Sequence, residues 1–384
     1  MIIFDTLTIT VCGVLLLLAV ATPFCNVLFR RPRLDNVGGA SDNNEESKAN
    51  KPGFSIIISV HDNAMEIERN LPAFLEQKYS GDFEVVVIDE SSTDETSDVL
   101  KRFKNKYPNL YTTFIPANSH YLSRRKLSLT IGVKAAKYEW LIFTGSDCRP
   151  ASDQWLETMS SHCNGDLILG ETRYEDDASD YVRLDNVKSW FRQLRAAQNS
   201  TAYAYSGRNL AMRRELFMKN YGFLKNLKYL RGEYDFIANE YSTPYNTETA
   251  TEEEARIIRD APTSTGWTND KLFFIETTRH LQRGLSYRLP VMIDNLLLHS
   301  TLMLQIAAIA LSAAMGLYVI TAVATVSLLL NYLLRVLISS QAMNAISETV
   351  PAWKIPFLDG CEIWRNAILY FKHSRSDKED FIRR

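Results

Sequence analysis

Little in this 384-residue sequence points to a metal framework, a disulfide scaffold or a nucleic-acid surface. Its five cysteines (Cys12, Cys25, Cys148, Cys163 and Cys361) show neither metal-ligand spacing nor a paired pattern, which fits a reducing compartment. The net charge of −2 excludes a broadly basic nucleic-acid binder. No internal repeat is visible. Charge is missing altogether from two long runs. Thr6 to Phe29 has no Asp, Glu, Lys or Arg, and Asn295 to Leu334 is free of them over 40 residues. A bilayer core needs about 20 apolar residues, so the first run is one span and the second is two. Met315-Gly316 supplies the turn between helices expected at 295–313 and 317–337.

The first run also lacks a basic residue ahead of it and a clean small-x-small site behind it, which argues against a cleaved leader. Arg30, Arg31 and Arg33 follow instead. Positive flanks stay in the cytoplasm, so residue 30 onward is expected on that side. Five parts follow from this pattern: an anchor (1–30), a polar linker (31–53), a large cytoplasmic domain (54–290), a helical hairpin (291–338) and an amphipathic tail (339–384). The tail carries Ile355, Leu358, Ile363, Trp364, Ile368 and Phe371 for lying on a membrane face.

Within the large domain, short apolar runs alternate with helical periodicity. FSIIISV (54–60), FEVVVID (83–89), LYTTFIP (110–116) and WLIFT (140–144) read as strands, and 64–78, 93–103 and 124–136 as helices. Strands apolar on both faces and separated by helices predict an α/β fold: a mainly parallel sheet covered on both sides. Ligands of such sheets bind at the carboxyl ends of the strands. Those ends carry Ser59, His61, Asp62 and Asn63, then Asp89 and Glu90, then Asp147. Carboxylates at Asp89 and Glu90 suit the N–H donors of a base and the hydroxyls of a ribose. A diphosphate would need positive charge, from a metal on Asp147 or from Arg125 or Lys126.

The ordered set of FSIIISVHDNAMEIERNLPAFLEQKY, FEVVVIDESSTDET and KAAKYEWLIFTGSDCRP resembles glycosyltransferase family 2, the inverting enzymes of GT-A fold, over about residues 53–290. YSGRNLAMRRELF (205–217), YLRGEYDFIAN (229–239) and FFIETTRH (273–280) resemble the membrane-anchored bacterial branch. The resemblance implies that Ser59, His61, Asp89 and Glu90 meet the nucleoside. It implies that Asp147 is the last acid of a D-x-D site holding Mg²⁺ or Mn²⁺. Arg279 and His280 match the end of a Q-x-x-R-W-like segment near the diphosphate, and Gly207, Arg208 and Asn209 an acceptor-side segment. The general base falls at Asp235 first and Glu233 second. The implied partners are a nucleotide-sugar donor, by family habit a UDP-sugar, a lipid-linked or glycan acceptor, and the bilayer. The implied location is the bacterial inner membrane, with the catalytic domain cytoplasmic.

Besides Glu276 and Thr277, which stand where Gln-Lys is more usual, the sequence departs from the family pattern at two places. Gly145 stands where D-x-D has its first acid, and Tyr234 stands where G-[ED]-D has its base. A phenol with a reference pKa near 10 is a poor base at neutral pH. A second reading therefore stays open: a catalytically weakened sugar-nucleotide-binding scaffold in a glycan assembly complex.

Overall fold

In the computed structural model, residues 5–34, 51–118, 122–199 and 201–382 are described. Most of the expected linker lies outside them. The chain divides into two compact units.

The larger unit comprises Arg33–Ala178, Gln193–Gln282 and Lys372–Arg384. Its elements begin with β1 (Phe54–Val60), α2 (Ala64–Leu75), β2 (Phe83–Asp89), α3 (Thr96–Lys106), β3 (Leu110–Phe114), α4 (Arg124–Ala135) and β4 (Trp140–Gly145). Then come β5 (Cys148–Pro150), α5 (Trp155–Ser161), β6 (Leu167–Gly170), β7 (Thr172–Tyr174), β8 (Leu210–Arg213), α7 (Arg214–Lys219), α8 (Glu233–Tyr241), β9 (Thr247–Ala250), β10 (Ile257–Arg259) and α9 (Ser264–His280). A seven-stranded sheet has the order β3-β2-β1-β4-β8-β6-β9. β1 runs parallel to β2 and β4, β2 to β3, and β6 to β9, while β8 is antiparallel to both neighbours. The architecture is therefore the expected α/β, mainly parallel sheet. A small sheet, β5-β10-β7, stands beside it.

The apolar runs predicted as strands are buried on both faces. Ile56 and Ile58 pack with Val85, Val87 and Trp140 on one side, Ile57 with Val86, Ile88 and Phe143 on the other. This two-sided core sets the register. Ser59 pairs with Gly145 across β1 and β4, and Val60 with Asp89 across β1 and β2, so three strand ends finish level. The start of α3 differs from the sequence expectation. The third helix starts at Thr96 rather than Thr93. The amides of Thr93 and Asp94 donate instead to the Asp62 carboxylate, at 2.7 and 3.4 Å, which draws the loop after β2 onto the loop after β1.

The other unit comprises Met1–Pro32, Ser179–Arg192 and Arg283–Phe371. It contains α1 (Thr6–Ala21), the first part of α6 (Asp180–Asn199), α10 (Gly284–Ala314), α11 (Tyr318–Ala345) and most of α12 (Ile355–Arg375). Among the described residues three helical stretches are long and apolar enough to cross a membrane: Thr6–Cys25, Gly284–Ala314 and Tyr318–Ala345. Gly316, at φ +72°, makes the turn expected between the last two. Both helices extend well beyond the uncharged run, because their polar ends find partners within the unit. Arg335, for example, donates from Nε to Asn331 Oδ1 at 3.1 Å. Small polar side chains hold α1 to α11: Ser327 donates to Leu15 O at 2.8 Å, and Asn331 to Ala19 O at 3.1 Å. Bonds of this kind satisfy polar groups that no water reaches inside a bilayer. The tail forms one 21-residue helix, with Phe357, Trp364, Ile368 and Phe371 exposed. The segment 179–192, expected inside the large domain, belongs to this helical unit.

Candidate active site

The level ends of β1, β2 and β4 form one side of the site. Glu90, directly after β2, accepts a bond from Ser59 Oγ, and Ser128 of α4 donates to the same hydroxyl oxygen at 2.6 Å. Asp89 accepts from the Ser92 amide at 2.8 Å and from Ser97 Oγ at 3.0 Å. The acidic pair is thus held in place from both loops. His61 is exposed beside Asp62, 3.6 Å away.

Asp147 follows β4 in a tight turn. Its Oδ2 accepts from Arg259 Nε at 2.6 Å. Arg259, the last residue of β10, reaches here because β10 pairs with β5 and Arg259 lies opposite Cys148. The same guanidinium donates to Tyr174 Oη and to Asp270 Oδ2, each at 3.0 Å. Burial opposes ionisation of Asp147, but Arg259, Arg208 and Arg125 outweigh it and hold the carboxyl well below its usual range. An added Cβ at Gly145 would lie 2.3 Å from Asp147 Oδ1. Asp147 itself therefore fills the space where the side chain of a first acid would start.

The α8 segment supplies the other side. Gly232 precedes it at φ +83°, a left-handed conformation that costs other residues about 1–2 kcal/mol. An added Cβ there would meet Thr277 Cγ2 and Oγ1 at 2.5 Å. We predict that Gly232→Val lowers stability by about 2 kcal/mol or more and disturbs the helix start. Thermal unfolding of the solubilised protein, with turnover measured in parallel, checks this.

Beyond Gly232, Glu233, Tyr234 and Asp235 are all buried. Tyr234 turns into the core: its ring packs on Phe143 and its hydroxyl donates to Thr144 O at 3.2 Å. It is a packing residue. Asp235 accepts from the Tyr205 amide at 3.0 Å. Burial pushes its carboxyl up to about 8, the Tyr205 bond and Arg208 working against that and Glu233 with it. Glu233 Oε1 lies 4.0 Å from Arg125 Nε. Arg125 is influenced by Tyr234, Glu233 and Glu90, and it acts in turn on Asp147. Arg208, over the Tyr234 ring at 5.3 Å, acts on both Asp147 and Asp235. These two arginines link the strand ends to the start of α8.

Four expected site residues make other contacts. Lys126 is fully buried, and its Nζ donates to Asn226 O at 2.6 Å and Tyr229 O at 2.8 Å. It fastens the loop before α8 and is not free to reach a diphosphate. Burial pushes it down to about 8. Asn209 is fully buried and donates from Nδ2 to Glu171 O and Ala255 O, so it is a sheet fastener rather than an acceptor contact. Arg279 and His280 end α9, where both approach Glu276, and His280 stacks on Tyr229 at 4.4 Å. They are not among the groups that set the charge of Asp147. Gly207 lies in the turn before β8, and an added Cβ would meet Tyr205 Oη at 2.4 Å.

The residue that sequence reasoning missed is Arg259, together with its partners Tyr174 and Asp270. The available signal was IIRD (257–260), an apolar pair followed by two charges, which has the form of a strand end. Arg231, directly before Gly232, was also passed over.

A family model described as Glycosyl transferase family 2 matches residues 55–220. The Haloferax volcanii protein Glycosyltransferase AglE is 30% identical over 127 residues, which cover 32% of this chain and 40% of that protein. The Bacillus spizizenii protein Poly(ribitol-phosphate) beta-glucosyltransferase is 28% identical over 123 residues, 31% of this chain and 19% of that protein. The chain thus matches less than half the length of either relative. Among solved structures, a mannosyltransferase from Pyrobaculum calidifontis in complex with GDP-Man and Mn²⁺ covers 93% of this chain and 99% of its own, at 15% identity and a TM-score of 0.51. That likeness concerns the fold. Residues 55–220 thus match the family 2 glycosyltransferase model, and the strand-rich unit that contains most of them has the GT-A fold.

Proposed function

We propose that the protein is an inverting glycosyltransferase that moves a sugar from a nucleotide donor to a lipid-linked or envelope glycan acceptor at the cytoplasmic face of a membrane. The observation that supports it most is the pair Arg125 and Arg208. Their charges bear on Glu90, Glu233, Asp147 and Asp235 together, so the acidic strand ends and the α8 motif share one electrostatic site. The nucleoside sits against Ser59, His61, Asp89 and Glu90. The acceptor hydroxyl attacks the anomeric carbon from the face opposite the diphosphate, and Asp235 takes its proton as the bond forms. Asp235 takes over the base role that Tyr234, turned into the core, does not fill. Glu233 raises the basicity of Asp235 by like-charge repulsion.

A divalent metal is the family's usual answer to the diphosphate charge. The residues here fit it poorly. Among the described residues no group of three His, Cys, Asp or Glu side chains could hold an ion. The one carboxylate at the expected place is bonded to Arg259, and Gly145 offers no second.

The three apolar helices anchor the chain, with Arg30, Arg31 and Arg33 on the cytoplasmic side, and α12 lies on the membrane face. A membrane anchor suits an acceptor that is itself carried in the bilayer.

The stereochemical course tests the mechanism. Proton NMR of the reaction with an α-linked sugar nucleotide should show a β-configured product as the first species formed. A product that retains the α configuration contradicts single displacement at this site.

A further inference from the structure

The proposed donor site holds buried guanidinium N–H groups that its own acids do not bond. Four arginines converge on it from separate segments: Arg125 on α4, Arg208 before β8, Arg231 before α8 and Arg259 on β10. The arginines hold the Asp147 and Asp270 carboxyls below their usual range, whereas burial pushes Asp235 up to about 8, so that it is mostly protonated at neutral pH. Arg259 is fully engaged, with Asp147, Tyr174 and Asp270. Arg125 lies among Tyr234, Glu233 and Glu90, which hold its charge against burial, but not every N–H of it or of Arg208 is bonded. Burial and the like charges of Arg125 and Arg208 make the Arg231 guanidinium easier to deprotonate, so these cations repel one another. Arg125 Nε and Arg208 Nε are buried with no hydrogen-bond partner among the described residues. A buried N–H left unpaired costs free energy, and so does a cluster of like charges. An anion with several oxygens removes both costs at once.

Building on the donor site proposed above, we propose that Arg125, Arg208 and Arg231 bind the diphosphate of the sugar nucleotide directly. Arg259 occupies Asp147 in the place of a divalent cation. Guanidinium groups suit this task, because their planar N–H pairs match phosphate oxygens and their charge does not titrate. As the glycosidic C–O bond breaks, its electron pair goes to the diphosphate oxygen. The arginines already face that growing charge. The missing first acid is part of the same arrangement. Gly145 leaves Asp147 room to fold toward Arg259, whereas a second carboxylate there would favour an ion.

The test is calorimetric binding of UDP and GDP to the full chain in detergent, with excess EDTA and then with Mg²⁺ or Mn²⁺. The expected result is that one of the two nucleotides binds, with an affinity unchanged within about twofold by EDTA. Arg208→Gln should weaken it by about tenfold or more, as loss of a charge-assisted hydrogen bond would. The matching nucleoside, which lacks phosphate, should bind Arg208→Gln and wild type alike; this separates a phosphate contact from misfolding. Arg259→Gln frees Asp147, and its nucleotide affinity should become responsive to Mn²⁺. Binding that vanishes in EDTA and returns with metal overturns the arginine assignment and leaves the transferase reading standing. If neither nucleotide binds under any condition, both the arginine assignment and the transferase reading are overturned.

Discussion

Asp235→Asn is expected to slow sugar transfer by about 10²–10⁴-fold, the usual contribution of a positioned general base, while donor affinity stays near the wild-type value. The substitution is conservative in space. An asparagine Oδ1 still accepts the Tyr205 amide that Asp235 accepts at 3.0 Å, so the start of α8 keeps its anchor. Only the capacity to take a proton is lost. Steady-state kinetics should therefore show the fall in kcat rather than in KM. The wild-type pH profile carries a second signature. With the carboxyl pushed up to about 8, the basic form grows as pH rises and the rate should climb to about pH 8 before levelling. Stability runs the other way. An aspartate pKa raised from 3.8 to about 8 on folding contributes stability that is fully present below 3.8 and is lost as pH rises through 8. The wild type should thus lose stability between about pH 4 and pH 8, and the asparagine variant should lose less. Chemical denaturation of the solubilised protein across that range measures the difference. A variant with wild-type turnover would remove Asp235 from the chemistry.

Lys126→Met is expected to lower stability by about 2–6 kcal/mol, because two carbonyl oxygens, one buried and one partly buried, lose their donor at roughly 1–3 kcal/mol each. The carbonyls are those of Asn226 and Tyr229, in the segment that leads to Gly232 and α8. The ammonium also lies 4.9 Å from the centre of the Phe236 ring, so methionine keeps the packing but not the cation–π attraction. Nucleotide affinity of the folded fraction should not change. A loss of affinity without a loss of stability would return Lys126 to the diphosphate site.

Much of the architecture follows from local pattern. β1, β2 and β4 are apolar on both faces and bounded by turn residues, so their burial and parallel arrangement could be read directly, as could the acids at their ends. The uncharged runs likewise announced the three long helices. Other features depend on partners remote in sequence. β5, β7 and β10 are three residues each, too short to display a period, and Arg259 reaches Asp147 only because β10 pairs with β5. A lysine one residue from a useful arginine looks equally basic in sequence, yet α4 turns Lys126 inward toward Asn226 and Tyr229 while Arg125 meets Glu233. α3 starts at Thr96 because the Asp62 carboxylate of another loop takes the Thr93 and Asp94 amides, and Asp94 Oδ1 accepts from the Thr96 amide that a Thr93 cap would have used.

Release of nucleoside diphosphate by the detergent-solubilised full chain, with membrane lipid extract as acceptor source and a panel of sugar nucleotides, tests the central claim most directly. Wild type should release nucleotide from one donor, and Asp235→Asn should bind that donor and release almost none. Equal release by the two proteins, or no release from any donor that binds, would contradict an active transferase with its base at Asp235.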